Sequence, residues 1–505
     1  MKPSASSSRI VLPHELRQFF SGPGPQTLLV RGAPGSGKTT LALSLLELFA
    51  GQRFYISGRV RPSDLARSFP WLPLARVKDP WKVLDLSASP SSAEEAARLS
   101  VLVNRVRQDH EDRTRNERLW LPGAVQEAWA RLDRSTPCMV VLDSWDAFIE
   151  QYLGRSEPLV DGVPAREDME RFLLSLLQSE NLKTVLINES AERTHLDYLV
   201  DGICVIASEA SGEHIERWLS FEKLRSVRIE TANYPFTLDG ARFRVFPRFP
   251  PSGATPRPPE PDRSENISSM FPGSRDLERA FGRLQPNALT LIELEPQVPR
   301  SVHRILLFPI MTVAMRCKGR VLLVPPPTLD TQDFFVGIRD QIPANELQNR
   351  LRILSLFPNA TMAREAPSLF LSPQRITWTR KELSIPGVPD AAFTRAARRR
   401  PGPNLLISYL SGIEALVPPS ADIRVREMFP RLARMMFGPR NTYLVGIGRS
   451  DDPDFRESTT VAAVHLRISN RRGRIVVRGE RPYTPEYVLE QDLRSPAPYS
   501  LTRLI

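Results

Sequence analysis

The sequence predicts an α/β fold: a mostly parallel sheet with helices on both faces, followed by a second, degenerate α/β domain on the same plan. Three observations carry this. Apolar strand-like runs alternate with helical stretches through the first half. A glycine-rich loop separates a buried strand from an apolar helix near the start. The same order of elements recurs in the second half without those glycines.

In the first half the strands are expected at Gln26–Val30, Arg53–Ile56, Cys138–Leu142, Thr184–Asn188 and Gly202–Ala207. Each is a short apolar run, as in a strand buried on both faces. Thr40–Ala50 and Pro164–Ser179 read as helices. Residues 92–134 read as a long, charged helical insertion. Proline crowds residues 249–275, where neither a helix nor a central strand can form, so this stretch reads as a stiff interdomain linker. The expected division is a first domain at 1–248 and a second at 276–505.

The loop Gly32-Ala33-Pro34-Gly35-Ser36-Gly37-Lys38-Thr39 fits G-x-x-x-x-G-K-[ST]. Its glycines let backbone N–H groups approach phosphate oxygens, and the helix start through Thr40 adds a positive dipole end. Lys38 suits the β- and γ-phosphates and the Thr39 hydroxyl suits Mg²⁺. The apolar run Cys138–Leu142 ends in Asp143, placed to hold the same ion. The expected ligands are therefore ATP and Mg²⁺, with Lys38 and Asp143 as the groups that act on the phosphates.

In the second half, Pro296 aligned on Pro34 brings Arg300 and Ser301 to the places of Lys38 and Thr39. Gln297 and Pro299 replace Gly35 and Gly37. Val321–Val324, Asn404–Leu410 and Asn441–Ile447 echo strands of the first half, with Ser408 expected at the acid position. Without glycines and acid, this copy is expected to bind no nucleotide.

The chain has 505 residues, 41% hydrophobic and 25% charged, too many for one core and ordinary for globular domains. Three scattered cysteines without metal spacing read as free thiols in a reducing compartment. No segment approaches the ~18 apolar residues of a membrane span, and no signal-peptide core is evident, so a cytoplasmic location is expected. The net charge of +11 admits weak nucleic-acid contact, but the charges are interspersed, and the densest cluster, Arg395–Arg400, could dock an acidic partner or simply cover a loop.

A block at the end of the first half is distinctive. Leu199-Val-Asp-Gly-Ile-Cys-Val-Ile206 is followed by Ile215-Glu-Arg-Trp-Leu-Ser-Phe-Glu-Lys-Leu-Arg225 and by Tyr234-Pro-Phe-Thr-Leu-Asp239. It resembles the KaiC-like branch of the RecA superfamily, which also occurs as tandem domains. Phe54–Leu65, Pro70-Trp-Leu72 and Pro13–Phe20 are most similar to the archaeal GvpD proteins, regulators of gas-vesicle genes that restrain a transcriptional activator. The resemblance implies a RecA/KaiC-like sheet in each half and an ATP-dependent regulator with a protein partner. It also implies a ring-shaped homo-oligomer in which Lys223 and Arg225 reach the γ-phosphate bound by a neighbouring subunit. KaiC-like hydrolases carry two glutamates just after the second strand. Here that stretch is Ser57-Gly-Arg-Val60, so hydrolysis is expected to be slow, with Glu189 as the stand-in for orienting water. Two other classes compete. A RecA-like DNA-dependent ATPase of recombination or repair would need a DNA-binding loop at Gln151–Arg166, where Arg155 and Arg166 are mixed with acids. A nucleotide-dead scaffold conflicts with the intact loop.

Overall fold

A computed structural model describes residues 9–58, 60–72, 81–85, 135–153, 165–179, 182–211, 214–249, 269–327, 342–355, 369–371, 377–378, 383–384, 402–417, 425–438, 442–491 and 499–504. The expected insertion at 92–134, most of the Pro-rich stretch, Arg155 and the Arg395–Arg400 cluster lie outside them. Two compact units divide the chain, Met1–Phe246 and Pro247–Arg503.

The first unit is a nine-stranded sheet among the described residues, ordered β3-β2-β4-β5-β1-β6-β7-β8-β9. These strands are β1 (Gln26–Gly32), β2 (Gln52–Ser57), β3 (Trp81–Asp85), β4 (Cys138–Asp143), β5 (Lys183–Ile187), β6 (Gly202–Ser211), β7 (His214–Leu224), β8 (Asn233–Thr237) and β9 (Arg244–Val245). Pairing is parallel from β3 through β6 and antiparallel from β6 to β9. Strand alternation divides the side chains between two cores. Leu28, Val30, Tyr55, Met139, Val141, Val185 and Ile187 face one, while Leu29, Phe54, Val140, Leu142 and Leu186 face the other. Helix α2 (Lys38–Leu48) lies in the first core, and Thr40 through Leu46 are all buried. A helix apolar all round belongs inside.

The second unit repeats the plan. Its sheet, of ten strands among the described residues, runs β13 (Phe370–Leu371), β12 (Leu351–Leu354), β11 (Arg320–Val324), β16 (Asn404–Tyr409), β17 (Thr442–Arg449), β10 (Leu289–Leu294), β18 (Val464–Arg471), β19 (Arg474–Arg481), β20 (Tyr487–Glu490) and β21 (Ser500–Arg503). β10 sits between β17 and β18 as β1 sits between β5 and β6, with equivalent register. Leu28 faces Val185 and Gly202; Thr290 faces Val445 and Val464. The protein is thus two α/β domains of one topology, as the order of elements predicts.

Register also corrects one expectation. Asp143 pairs with Ile187, whose partner is Val30. The same path in the second sheet runs from Ile292 through Ile447 to Tyr409. Tyr409, not Ser408, holds the acid's place in the sheet. Sequence spacing cannot see this one-residue slip, which exchanges sheet faces. The Ser408 hydroxyl is buried and donates to the carbonyl of Tyr409.

Candidate functional site

The loop after β1 closes at the start of α2. Gly37 caps that helix with φ of 110°, and Gly35 has φ of 74°, conformations that side-chain-bearing residues avoid. A Cβ at Gly35 would meet nothing within 4 Å, so the loop's crest faces open space. Lys38 is buried, and its ammonium donates to the carbonyls of Gly32 at 2.7 Å and Ala33 at 2.8 Å. Burial lowers its pKa, against the carboxylates of Glu189 and Asp143.

Thr39 and Asp143 meet directly. The Thr39 hydroxyl donates to Asp143 Oδ2 at 2.7 Å, and the Tyr55 hydroxyl donates to the same oxygen at 2.6 Å. Burial pushes the Asp143 carboxyl above its usual range, while the hydrogen bonds from Tyr55 and Thr39 and the charge of Lys38 pull it down. A hydroxyl and a carboxylate form an oxygen-donor pair suited to a hard cation such as Mg²⁺, and the open glycine loop suits a polyphosphate. The residues present fit both groups. Tyr55 escaped the motif reading, because a tyrosine within an apolar strand reads as core.

Glu189 follows Asn188 at the end of β5, near enough for its charge to act on Lys38 and Asp143. Its backbone N–H donates to Asp146 Oδ2 at 3.3 Å. Asp64, the first acid after β2, pairs at 3.7 Å with Arg67 on an exposed helix face.

Lys223 and Arg225 are not brought to the loop of their own chain. Lys223 pairs with Ile203 near the start of β6, whereas the loop leaves β1 at Gly32, level with Ile206. The Lys223 ammonium donates to the carbonyls of Asp197 at 3.1 Å and Val200 at 2.6 Å. Arg225 pairs with Asp201 at 3.1 Å. The Asp197 side chain also takes a hydrogen bond at 3.0 Å from Arg31, a fully buried arginine one residue before the glycine loop. Arg166 is engaged internally, at 2.6 Å from Asp146 and 3.0 Å from Glu170.

In the second unit, no residue from Glu295 to Pro299 has a positive φ. The Gln297 carbonyl is taken by Asn470 Nδ2 at 2.9 Å and Glu295 by Arg467 at 3.0 Å. Tyr409 contacts His303 Nδ1 at 3.0 Å through its hydroxyl. A tyrosine–histidine contact thus stands near the place that Thr39 and Asp143 hold in the first unit.

A family described as GvpD gas vesicle protein, P-loop domain, matches residues 16–91, which take in the loop and Tyr55 but stop before Asp143. Protein GvpD2 of Halobacterium salinarum is 27% identical over 321 residues, 62% of this chain and 61% of that protein. The chain is a KaiC-like P-loop protein close to GvpD. Protein GvpD1 of the same organism is 25% identical over 332 residues, 64% of this chain and 58% of its own length. The chain therefore matches less than two thirds of the GvpD relatives' length. Circadian clock oscillator protein KaiC 1 of Synechocystis sp. is 26% identical over 240 residues, 44% of this chain and 40% of that protein. A KaiC-like protein of Pyrococcus horikoshii has a crystal structure with TM-score 0.30 and 18% identity, covering 44% of this chain and 89% of that one. Among the described residues of this GvpD-like chain, no helix is long and apolar enough to cross a membrane.

Proposed function

We propose that this protein is an ATP-binding switch of the GvpD/KaiC type that regulates a protein partner, such as a transcriptional activator, in the cytoplasm. The observation that carries the reading is the assembly of Lys38, Thr39 and Asp143 around one glycine loop. Lys38, now on the Gly32 and Ala33 carbonyls, would hold phosphate oxygens, and Thr39 and Asp143 would hold Mg²⁺ through their oxygens. Bound Mg²⁺ supplies charge neutralisation at the phosphates. Rearranging these contacts biases the segments that adjoin them, which is how a γ-phosphate becomes a signal. Turnover is slow because the stretch after β2 carries no carboxylate, leaving Glu189 to orient water. In a ring of copies, Lys223 and Arg225 serve the γ-phosphate of the neighbouring subunit.

Calorimetry tests the site. Lys38→Ala is expected to weaken ATP·Mg²⁺ binding by at least about 30-fold, the loss of charge-assisted hydrogen bonds to phosphate. An unchanged affinity would sink the reading. Capture of a transcription regulator by the tagged protein with ATP, but not without it, supports the switch. Phosphate release should stay below ~1 s⁻¹, the low end of ordinary enzyme rates. The pairing of Arg166 with Asp146 and Glu170 weighs against its use on DNA. DNA binding at ~0.15 M salt should therefore be weak, without stimulation of hydrolysis. Tight single-strand binding with stimulated turnover would favour a recombination ATPase instead.

A further inference from the structure

The pair that faces Mg²⁺ has a third member outside the nucleotide-binding motifs. Tyr55 has no exposed surface, and its ring lies in the same core as Leu41 and Val141. Ser57 is the residue of β2 that sits opposite Asp143, and Tyr55 sits opposite Val141, two residues earlier. Two residues of a strand span about 6.6 Å, and alternation keeps positions 55 and 57 on one face. A phenol bridges that step where no aliphatic side chain could, and its hydroxyl ends 2.6 Å from Asp143 Oδ2. That oxygen also receives the Thr39 hydroxyl.

We propose that Tyr55 is a positioning residue for Mg²⁺: its hydroxyl pins Asp143 Oδ2 beside Thr39, so the two oxygen donors stand preassembled before metal and nucleotide arrive. The assignment rests on the nucleotide reading above and adds a residue to it. Three constraints meet on one carboxylate. Backbone pairing fixes Asp143 from β2 and β5, Thr39 approaches from the first turn of α2, and Tyr55 fixes the rotation of the carboxyl group. Without the phenol, the carboxyl keeps the Thr39 contact but loses the donor that sets its angle. Outer-shell hydrogen bonds of this kind usually change metal affinity by 10–100-fold. The phosphate loop, held by its own backbone and by Lys38, does not depend on Tyr55.

Tyr55→Phe keeps the ring in the core and removes only the hydroxyl. The full-length protein is titrated with a fluorescent ATP analogue, first in EDTA and then at rising Mg²⁺. In Tyr55→Phe the Mg²⁺ concentration for half-maximal tightening should rise about tenfold, while metal-free affinity stays at the wild-type value. With Asp143→Asn already present, Tyr55→Phe should change nothing further. An unchanged Mg²⁺ requirement overturns the assignment and leaves the nucleotide reading standing. So does an equal effect on the Asn background. Loss of metal-free binding in Tyr55→Phe also overturns it, because the phenol would then hold the fold rather than the metal pair. If the wild-type chain binds no nucleotide in either condition, both readings fall.

Discussion

Arg31 shows how much a single buried charge can organise. Its guanidinium is 0% exposed in the middle of the first sheet, and it holds Asp197, Glu222 and the Glu192 carbonyl at once. A charge taken out of water must be paired, and removing one partner costs more than the pair itself contributes. Arg31→Met should therefore destabilise the first unit by about 1–3 kcal/mol, because the half-buried Asp197 carboxylate and the Glu192 carbonyl lose their donor. Thermal unfolding of the two proteins checks this, and an unchanged midpoint would mean that water replaces the guanidinium. Neither Arg31 nor Tyr55 was legible as a special residue in the sequence. A charged residue before a glycine loop and a tyrosine in an apolar strand both have ordinary readings. Their roles depend on partners more than 80 positions away along the chain. Lys38, Thr39 and Asp143 were legible because the chemistry of phosphate and Mg²⁺ restricts which residues can follow a strand at those spacings.

At the level of elements, the helix after β16 carries a pH dependence through one carboxyl. Glu414 on that helix, Leu410–Leu416, meets Asp452 and Asp454 at the start of the helix Pro453–Val461, with their carboxylate oxygens within 4.8 Å of one another. Burial first, then the charge of Asp452 and a hydrogen bond with Asp454, push the Glu414 carboxyl up to about 7. A carboxyl raised in the fold stabilises it while protonated. That contribution is complete below the ordinary glutamate range and is lost as pH rises through about 7. Melting of the second unit should thus fall between pH 6 and pH 8, and Glu414→Gln should flatten the slope; an equal slope in both proteins would show that another group governs it. Strands β1, β2, β4, β5 and β6 were legible from apolar runs, each to within a few residues, whereas the long antiparallel β7 was not read as a strand. The edge strand β3, Trp81–Asp85, was not legible either, because Trp-Lys-Val-Leu-Asp is too short and mixed to declare a period. The slip from Ser408 to Tyr409 went unseen because only the neighbouring strands define it.

At the scale of the whole molecule, two sheets of one topology carry one glycine loop. ATP should bind once per chain, and Lys38→Ala should weaken that one binding event, whereas Arg300→Ala with Ser301→Ala should leave stoichiometry and affinity untouched. A stoichiometry of two in calorimetry would mean that the second loop works without glycines. The strand order also has a consequence for synthesis on the ribosome. β1 is made before the other described strands of its sheet, yet its two neighbours there are β5 and β6, with Gln26 meeting Lys183 and Leu28 meeting Gly202. Closing so long a stretch of chain is slow, and the apolar edges of β1 stay unpaired until it happens. The phosphate loop is therefore translated early and locked late. Nascent chains arrested before β5 should be cut by protease near Leu28–Val30, and chains released after β6 should resist. Equal resistance in both would mean that the early strands find a temporary partner. A cell that makes this protein must shelter its first strand through most of a domain's worth of translation, which makes the newborn chain, more than the finished one, a client for chaperones.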